Sequence, residues 1–166
     1  MSTRPTTDRV KESLFNIISG IIGEADILDL YSGTGNLGIE ALSRGANSAV
    51  FVDKSSECTE IIRDNLVFTK LIDKAEIFNR DVFSILHSFG SNNKKFDIVF
   101  LDPPYHKNLV EETLKSIGEN DIIKSDSIVI AEHDFEDKVP EVMGVLKRYR
   151  NSKYGDTIVS FYKVCE

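Results

Sequence analysis

Short apolar runs alternate along this chain with longer amphipathic stretches, the pattern of a parallel sheet covered by helices. Five runs read as strands: Ile27 to Tyr31, Ser48 to Val52, Ala75 to Phe78, Phe96 to Leu101 and Ser127 to Glu132. Between them the apolar positions recur at helical spacing. Thr6 to Ile22 reads as a helix through Val10, Leu14, Ile17, Ile18 and Ile21, with Thr7 or Asp8 as its cap. Ile39 to Arg44 forms a second helix stopped by Gly45, and Ser55 to Leu71 a third that Ser55 or Ser56 can cap. Asp81 to Phe89 and Asn108 to Ile117 complete the set. Val145 to Arg150 and Thr157 to Val164 leave no room for a crossover helix. Asn151 to Asp156 therefore reads as a turn, and the two runs pair as a hairpin. The expected architecture is α/β: a mostly parallel sheet of seven strands, helices on both faces, and an antiparallel strand from the C-terminal hairpin.

Composition narrows the class. The chain has 166 residues, of which 41% are hydrophobic and 28% charged, an ordinary globular balance for one domain spanning 1–166, with 1–22 as a helical segment packing on the core. Two cysteines, Cys58 and Cys165, without a CxxC pair exclude a disulfide scaffold and a cysteine-rich zinc module. No metal is implied. No apolar run approaches the roughly 20 residues of a membrane helix, and Met1 to Lys11 lacks the apolar stretch of a signal peptide. A cytoplasmic setting without a membrane partner is expected. With 20 basic against 27 acidic residues the net charge is −7, which argues against a bulk electrostatic nucleic-acid binder. Local basic patches remain, at Arg4, Arg9 and Lys11 and at Lys147, Arg148, Arg150 and Lys153; the plain reading of each is a solvated face.

The first strand runs into Gly33-Thr34-Gly35-Asn36-Leu37-Gly38, and Asp53, 20 residues after Gly33, ends the second. Glycine permits a sharp turn and a close ligand approach, and an acid at the end of the second strand can accept from ribose hydroxyls. The plain alternative is a tight turn with Asp53 as a helix cap. Two nucleoside cofactors suit the pattern, nicotinamide dinucleotides and S-adenosylmethionine. Asp29 favours the second, because a carboxylate in an apolar strand would repel a pyrophosphate and attract an ammonium and a sulfonium. It could equally bond the amides of the glycine turn.

Asp102-Pro103-Pro104-Tyr105 ends the fourth strand at the carboxyl edge of the sheet, where open α/β folds bind ligands. Two prolines could simply stop a strand. Chemistry gives them more to do. An exocyclic amino group is a poor nucleophile because its lone pair is delocalised into the ring. The Asp102 carboxylate and the Pro103 carbonyl can accept its two hydrogens and turn the lone pair toward a methyl donor. The prolines hold both acceptors in place beforehand. Tyr105 can stack on the base, worth roughly 1–3 kcal/mol, and Asp102 can take the proton late.

On these residues the sequence resembles the class I S-adenosylmethionine-dependent methyltransferases acting on amino groups. It is most similar to the RsmD family, which methylates guanine N2 in bacterial small-subunit (16S) ribosomal RNA. The likeness runs through Arg4-Pro5-Thr6-Thr7-Asp8-Arg9-Val10-Lys11-Glu12-Ser13-Leu14-Phe15-Asn16, Asp29 to Ala46, Phe96 to Tyr105 and Lys153-Tyr154-Gly155-Asp156-Thr157. The two motifs above assign only the superfamily, and the Arg4-Pro5-Thr6-Thr7-Asp8-Arg9-Val10 opening carries the specific assignment. The resemblance implies a Rossmann-like fold. It implies that Asp29, Gly33 and Gly35, with Tyr31 and Asn36 beside them, line the methionine end of the cofactor, that Asp53 holds its ribose, and that Asp81 and Val82 meet its adenine. Asp102 would border the cofactor as well as the base. Arg4, Thr6, Arg9 and Tyr105, with Lys147, Arg148, Arg150 and Lys153, would contact the RNA. Without the resemblance, Asp81 reads as a helix N-cap.

Family members usually carry a glycine- and arginine-containing segment ahead of Arg4-Pro5, where here Met1-Ser2-Thr3 stand. The resemblance implies that such a segment helps dock RNA, and its absence fits the low pI. The chain is expected to act as a monomer. The alternatives are a methyltransferase for adenine N6 or a protein amide, a nicotinamide oxidoreductase, and a non-catalytic relic. The oxidoreductase lacks a catalytic constellation, since His87, His106 and His133 are scattered. His133 is read as a packing residue.

Overall fold

Strands covered on both faces must be apolar almost throughout, and the central strands of the computed structural model, which describes residues 8–105 and 107–165, follow that rule. The elements run α1 (Asp8–Ile17), β1 (Asp26–Leu30), α2 (Asn36–Ser43), β2 (Ser48–Asp53), α3 (Ser56–Phe68), a 3-10 turn (Ile72–Lys74), β3 (Ala75–Asn79), α4 (Val82–Ser91), β4 (Phe96–Leu101), α5 (Leu109–Glu119), β5 (Ile123–Asp134), β6 (Val142–Met143), β7 (Leu146–Tyr154) and β8 (Thr157–Val164). One sheet holds all the strands in the order β3-β2-β1-β4-β5-β8-β7-β6. The first five are mutually parallel; β8, β7 and β6 are joined antiparallel.

Alternation along each strand sends its side chains into two separate cores. Ile27, Phe51, Ile98, Phe100, Ile130 and Phe161 face α1, α2 and α3. Leu28, Val50, Val99, Leu101, Val129 and Tyr162 face α4 and α5. The α1 helix seals the first layer with Val10, Leu14 and Phe15. Among the described residues no helix is long and apolar enough to cross a membrane.

The sheet has eight strands, not the expected seven, because the short β6 pairs with the outer edge of β7. The hairpin turn is also shorter than expected. Tyr154 pairs with Thr157, so only Gly155 and Asp156 lie between the strands, with Gly155 at φ +61°. Asn151, Ser152 and Lys153 are polar but paired. The α1 helix ends at Ile17, ahead of the expected Ile22. From there Ser19 and Ile21 bond back three residues and carry Ile22 into the core. The α3 helix stops at Phe68, short of Leu71, because Lys70 turns left-handed (φ +63°) and the Leu71 N–H bonds back to the Leu66 carbonyl. Strand β5 starts earlier, at Ile123, beyond an irregularity in its pairing with β4.

Candidate active site

Strands β1 and β4 are neighbours, with Leu30 opposite Leu101. The helix after β1 packs on one face of the sheet and the helix after β4 on the other. That divergence opens a crevice at the carboxyl edge, where doubly wound sheets bind their ligands. The glycine-rich turn and Asp102-Pro103-Pro104-Tyr105 are the two segments leaving β1 and β4, so they border this crevice from adjacent strands. Asp53 ends β2 and Asp81 follows β3, on the strands next in line.

The glycine turn is held by its own polar groups. The Gly33 N–H donates to Asp53 Oδ2 at 2.9 Å, while Asp53 Oδ1 accepts from the Ser55 N–H at 2.9 Å. Asp53 thus ties the glycine turn to the loop before α3, whose cap is Ser55 rather than Asp53, at the carboxyl edge of the sheet. The three glycines differ. Gly33 (φ +58°) has nothing within 4 Å of where a Cβ would stand, so open space lies before it. Gly35 (φ +81°) is the left-handed residue from which α2 starts, three residues earlier than expected at Ile39. A Cβ on Gly38 would lie 2.4 Å from Phe51 Cε2, so this glycine serves helix-to-sheet packing.

Asp29 is 2% exposed and its Oδ2 accepts from the Gly38 N–H at 3.0 Å. Burial pushes its pKa up to about 8, helped by the nearby Asp53 charge and opposed by the Gly38 bond. Tyr31, at φ +58°, turns toward α5, where its hydroxyl bonds Thr113 Oγ1 at 2.8 Å. Burial raises this phenol to about 12. Asn36 accepts from Lys11 Nζ at 3.0 Å, and Lys11 also pairs with Glu40 at 3.5 Å. The first turns of α1 are thereby fastened over the start of α2, a link that residue spacing alone does not reveal. Asp81 caps α4, accepting from the Ser84 N–H at 3.0 Å, and Val82 is buried.

In the Asp-Pro-Pro-Tyr corner Pro103 is buried, Pro104 exposed, and Asp102 and Tyr105 are half-buried. The Tyr105 hydroxyl reaches Thr157 Oγ1 at the start of β8, at 3.4 Å. Behind the corner a small pocket is lined by Pro103, Tyr105, Asn108, His133, Asp137 and Val139, among others. His133 is buried, with Nε2 2.8 Å from Ser160 Oγ and Nδ1 3.1 Å from the Asp134 carbonyl. Burial holds its pKa below the usual range, so the ring is neutral at pH 7. It packs as expected, but it also backs the diproline corner, which its isolation in the sequence concealed.

The basic residues of β7 do not form one patch. A register shift between Arg148 and Arg150 sets Arg148 opposite Tyr162 and Arg150 opposite Phe161, which belong to the two opposite cores. Lys147 and Arg150 therefore face the α1 side, and Arg148 and Lys153 the α4/α5 side. Arg9 of α1 joins Arg150, Glu12, Ser13 and Asn16 around an open cleft of about 550 Å³. Arg4 and Thr6, and the candidate cap Thr7, lie outside the described residues.

The family described as conserved hypothetical protein 95 matches residues 1–163. YlbH of Bacillus subtilis is 40% identical over 162 residues, covering 98% of this chain and 88% of its own length. Ribosomal RNA small subunit methyltransferase D of Escherichia coli is 32% identical over 160 residues, covering 96% of this chain and 79% of its own. Among solved structures, yhhF of Escherichia coli superposes with TM-score 0.88 at 30% identity, covering 98% of this chain and 90% of that one. An RNA methyltransferase from Salinibacter ruber, in complex with S-adenosyl-L-homocysteine, shares the fold at TM-score 0.73 and 18% identity, over 98% of this chain and 95% of that one. The fold is that of the class I methyltransferases. With nearly its whole length matched, the chain belongs to the conserved hypothetical protein 95 family, the RsmD family of its similar relatives.

Proposed function

We propose that this protein is an S-adenosylmethionine-dependent methyltransferase acting on the exocyclic N2 amino group of a guanine in small-subunit ribosomal RNA. The observation that carries the reading is the adjacency of β1 and β4, which brings the glycine-rich turn and the Asp-Pro-Pro-Tyr corner to one crevice. The names of the relatives support ribosomal RNA as the substrate, and the ligand of the Salinibacter ruber protein supports the cofactor.

The residues present fit such a cofactor. Two carboxylates, Asp53 and Asp81, stand at or just beyond neighbouring strand ends, and the buried Asp29 carboxyl near Asp53 would ionise against a cationic ligand. That charge would repel a pyrophosphate and suits a ligand bearing an ammonium and a sulfonium. The open space before Gly33 leaves room for it. Asp29, Gly33, Gly35 and Asn36 would hold its methionine end, with Tyr31 behind them against α5. Asp53 would accept from its ribose, and Asp81 and Val82 would border its adenine. The cofactor supplies an electrophilic methyl group on a sulfonium.

The remaining work falls to this chain. Asp102 and the Pro103 carbonyl accept the two amino hydrogens and direct the nitrogen lone pair. Pro103 and Pro104 fix that corner, so its acceptors need no reordering on binding. Tyr105, tethered at Thr157, stacks on the base. Asp102 receives the proton as the nitrogen becomes acidic. Arg9 and Arg150, with Lys147, Arg148 and Lys153, meet the RNA backbone, and Arg4 and Thr6 complete the substrate side.

The test is transfer of labelled methyl groups to small-subunit particles from a strain lacking the enzyme. Wild-type protein labels the particles. Asp102→Ala loses transfer by at least about a hundredfold, the scale of one preorganised electrostatic group, while calorimetry finds its cofactor affinity intact. Normal turnover by that variant would remove Asp102 from the mechanism.

A further inference from the structure

Beyond the crevice, one large aromatic stands on the rim without serving the core. Phe135, the residue after β5, is 47% exposed. It is not loose. Its N–H donates to the Asp156 carbonyl of the β7–β8 turn at 2.8 Å, and Lys153 Nζ lies 5.4 Å from its ring centroid. Its backbone also adjoins the proposed base site. Asp134, its chain neighbour, pairs with Thr157, and Thr157 carries the Tyr105 hydroxyl contact. Two aromatic residues therefore adjoin the start of β8, one following β4 and one following β5.

An exposed aromatic ring held in place with a cation against it is how proteins stack single-stranded bases and neutralise the phosphate beside them. We propose that Phe135 and Lys153 form a second stacking platform, which takes the base of the nucleotide next to the one presented to Tyr105. Lys153 then exchanges the ring for that nucleotide's phosphate. This inference rests on the proposed RNA methyltransferase reading and extends it: Phe135 fixes how the strand enters the crevice and touches none of the reacting atoms.

The chain contains no tryptophan, so Phe135→Trp installs a single indole at the platform. Phe68→Trp, at an 88% exposed position of α3 away from the crevice, is the control. Small-subunit ribosomal RNA added to the Phe135→Trp protein quenches and shifts the indole emission, and leaves the Phe68→Trp emission unchanged. In the methyl-transfer assay Phe135→Ala raises KM for the RNA about ten- to a hundredfold, with kcat and cofactor affinity held. Phe135→Trp restores KM, which a merely structural defect would not allow. An unquenched indole at position 135, or a Phe135→Ala enzyme with wild-type KM, would overturn the platform while wild-type transfer continued. Absence of transfer by the wild-type protein would instead sink the underlying reading.

Discussion

At the scale of single residues, the deciding feature is a carboxyl group kept from water. Asp29 is raised to about 8 chiefly by burial, so at pH 7 it is largely protonated. The folded chain then holds a proton that the unfolded chain has released, and stability must fall as pH rises through that value. Burial lowers the His133 pKa, away from that value. Between about pH 7 and 9, outside the ordinary ranges of Asp, Glu and His, the melting temperature of the ligand-free protein should therefore decline, and Asp29→Asn should flatten the decline. Affinity for a cationic cofactor should change in the opposite sense, rising over the same interval as Asp29 ionises. Calorimetric titrations across that range check both; a melting temperature and an affinity that ignore pH would refute the assignment.

At the scale of elements, α2 lies close against β2 because Gly38 has no side chain. Alanine normally stabilises a helix interior by about 1 kcal/mol over glycine. Here the new Cβ would meet Phe51 Cε2 at 2.4 Å and Cζ at 2.7 Å, and overpacking costs about 1–3 kcal/mol. The variant Gly38→Ala should thus be less stable in urea, and Phe51→Leu should recover part of the loss. A more stable Gly38→Ala would mean that the helix yields freely. The same scale shows what was legible beforehand. Doubly covered strands such as Phe96–Leu101 declare themselves through unbroken apolar runs. The edge strands do not: β6 is two residues long, and Asn151 to Lys153 are paired yet as polar as a turn. The bulge beside Tyr149 is invisible in the sequence, because it depends on the partner strand's register. It therefore divided a basic run that looked continuous. Local caps were readable where one side chain does the work, as at Ser55 and Asp81. The Lys11–Asn36 link joins residues 25 apart and was not.

At the scale of the whole molecule, a net charge of −7 leaves any polyanion dependent on local cations. The β7 register assigns them unequal parts. Arg148 stands beside the Tyr162 hydroxyl, where it opposes the rise to about 12 that burial imposes on that phenol. Arg150 faces the open cleft with Arg9. Alanine at Arg150 should flatten the salt dependence of RNA binding by about one phosphate contact's worth, and alanine at Arg148 by less. Filter-binding titrations over a range of salt concentrations measure both slopes. Equal slopes for the two variants would dissolve the distinction.

The central claim is that a rigid corner beside the glycine turn grips both hydrogens of an amino group. Its most direct test is the identity of the methylated nucleoside. Small-subunit particles labelled by the purified protein, digested and resolved by mass spectrometry, should yield N2-methylguanosine. Methyl on a ribose hydroxyl or a ring carbon, neither of which offers two hydrogens to Asp102 and Pro103, would contradict the account.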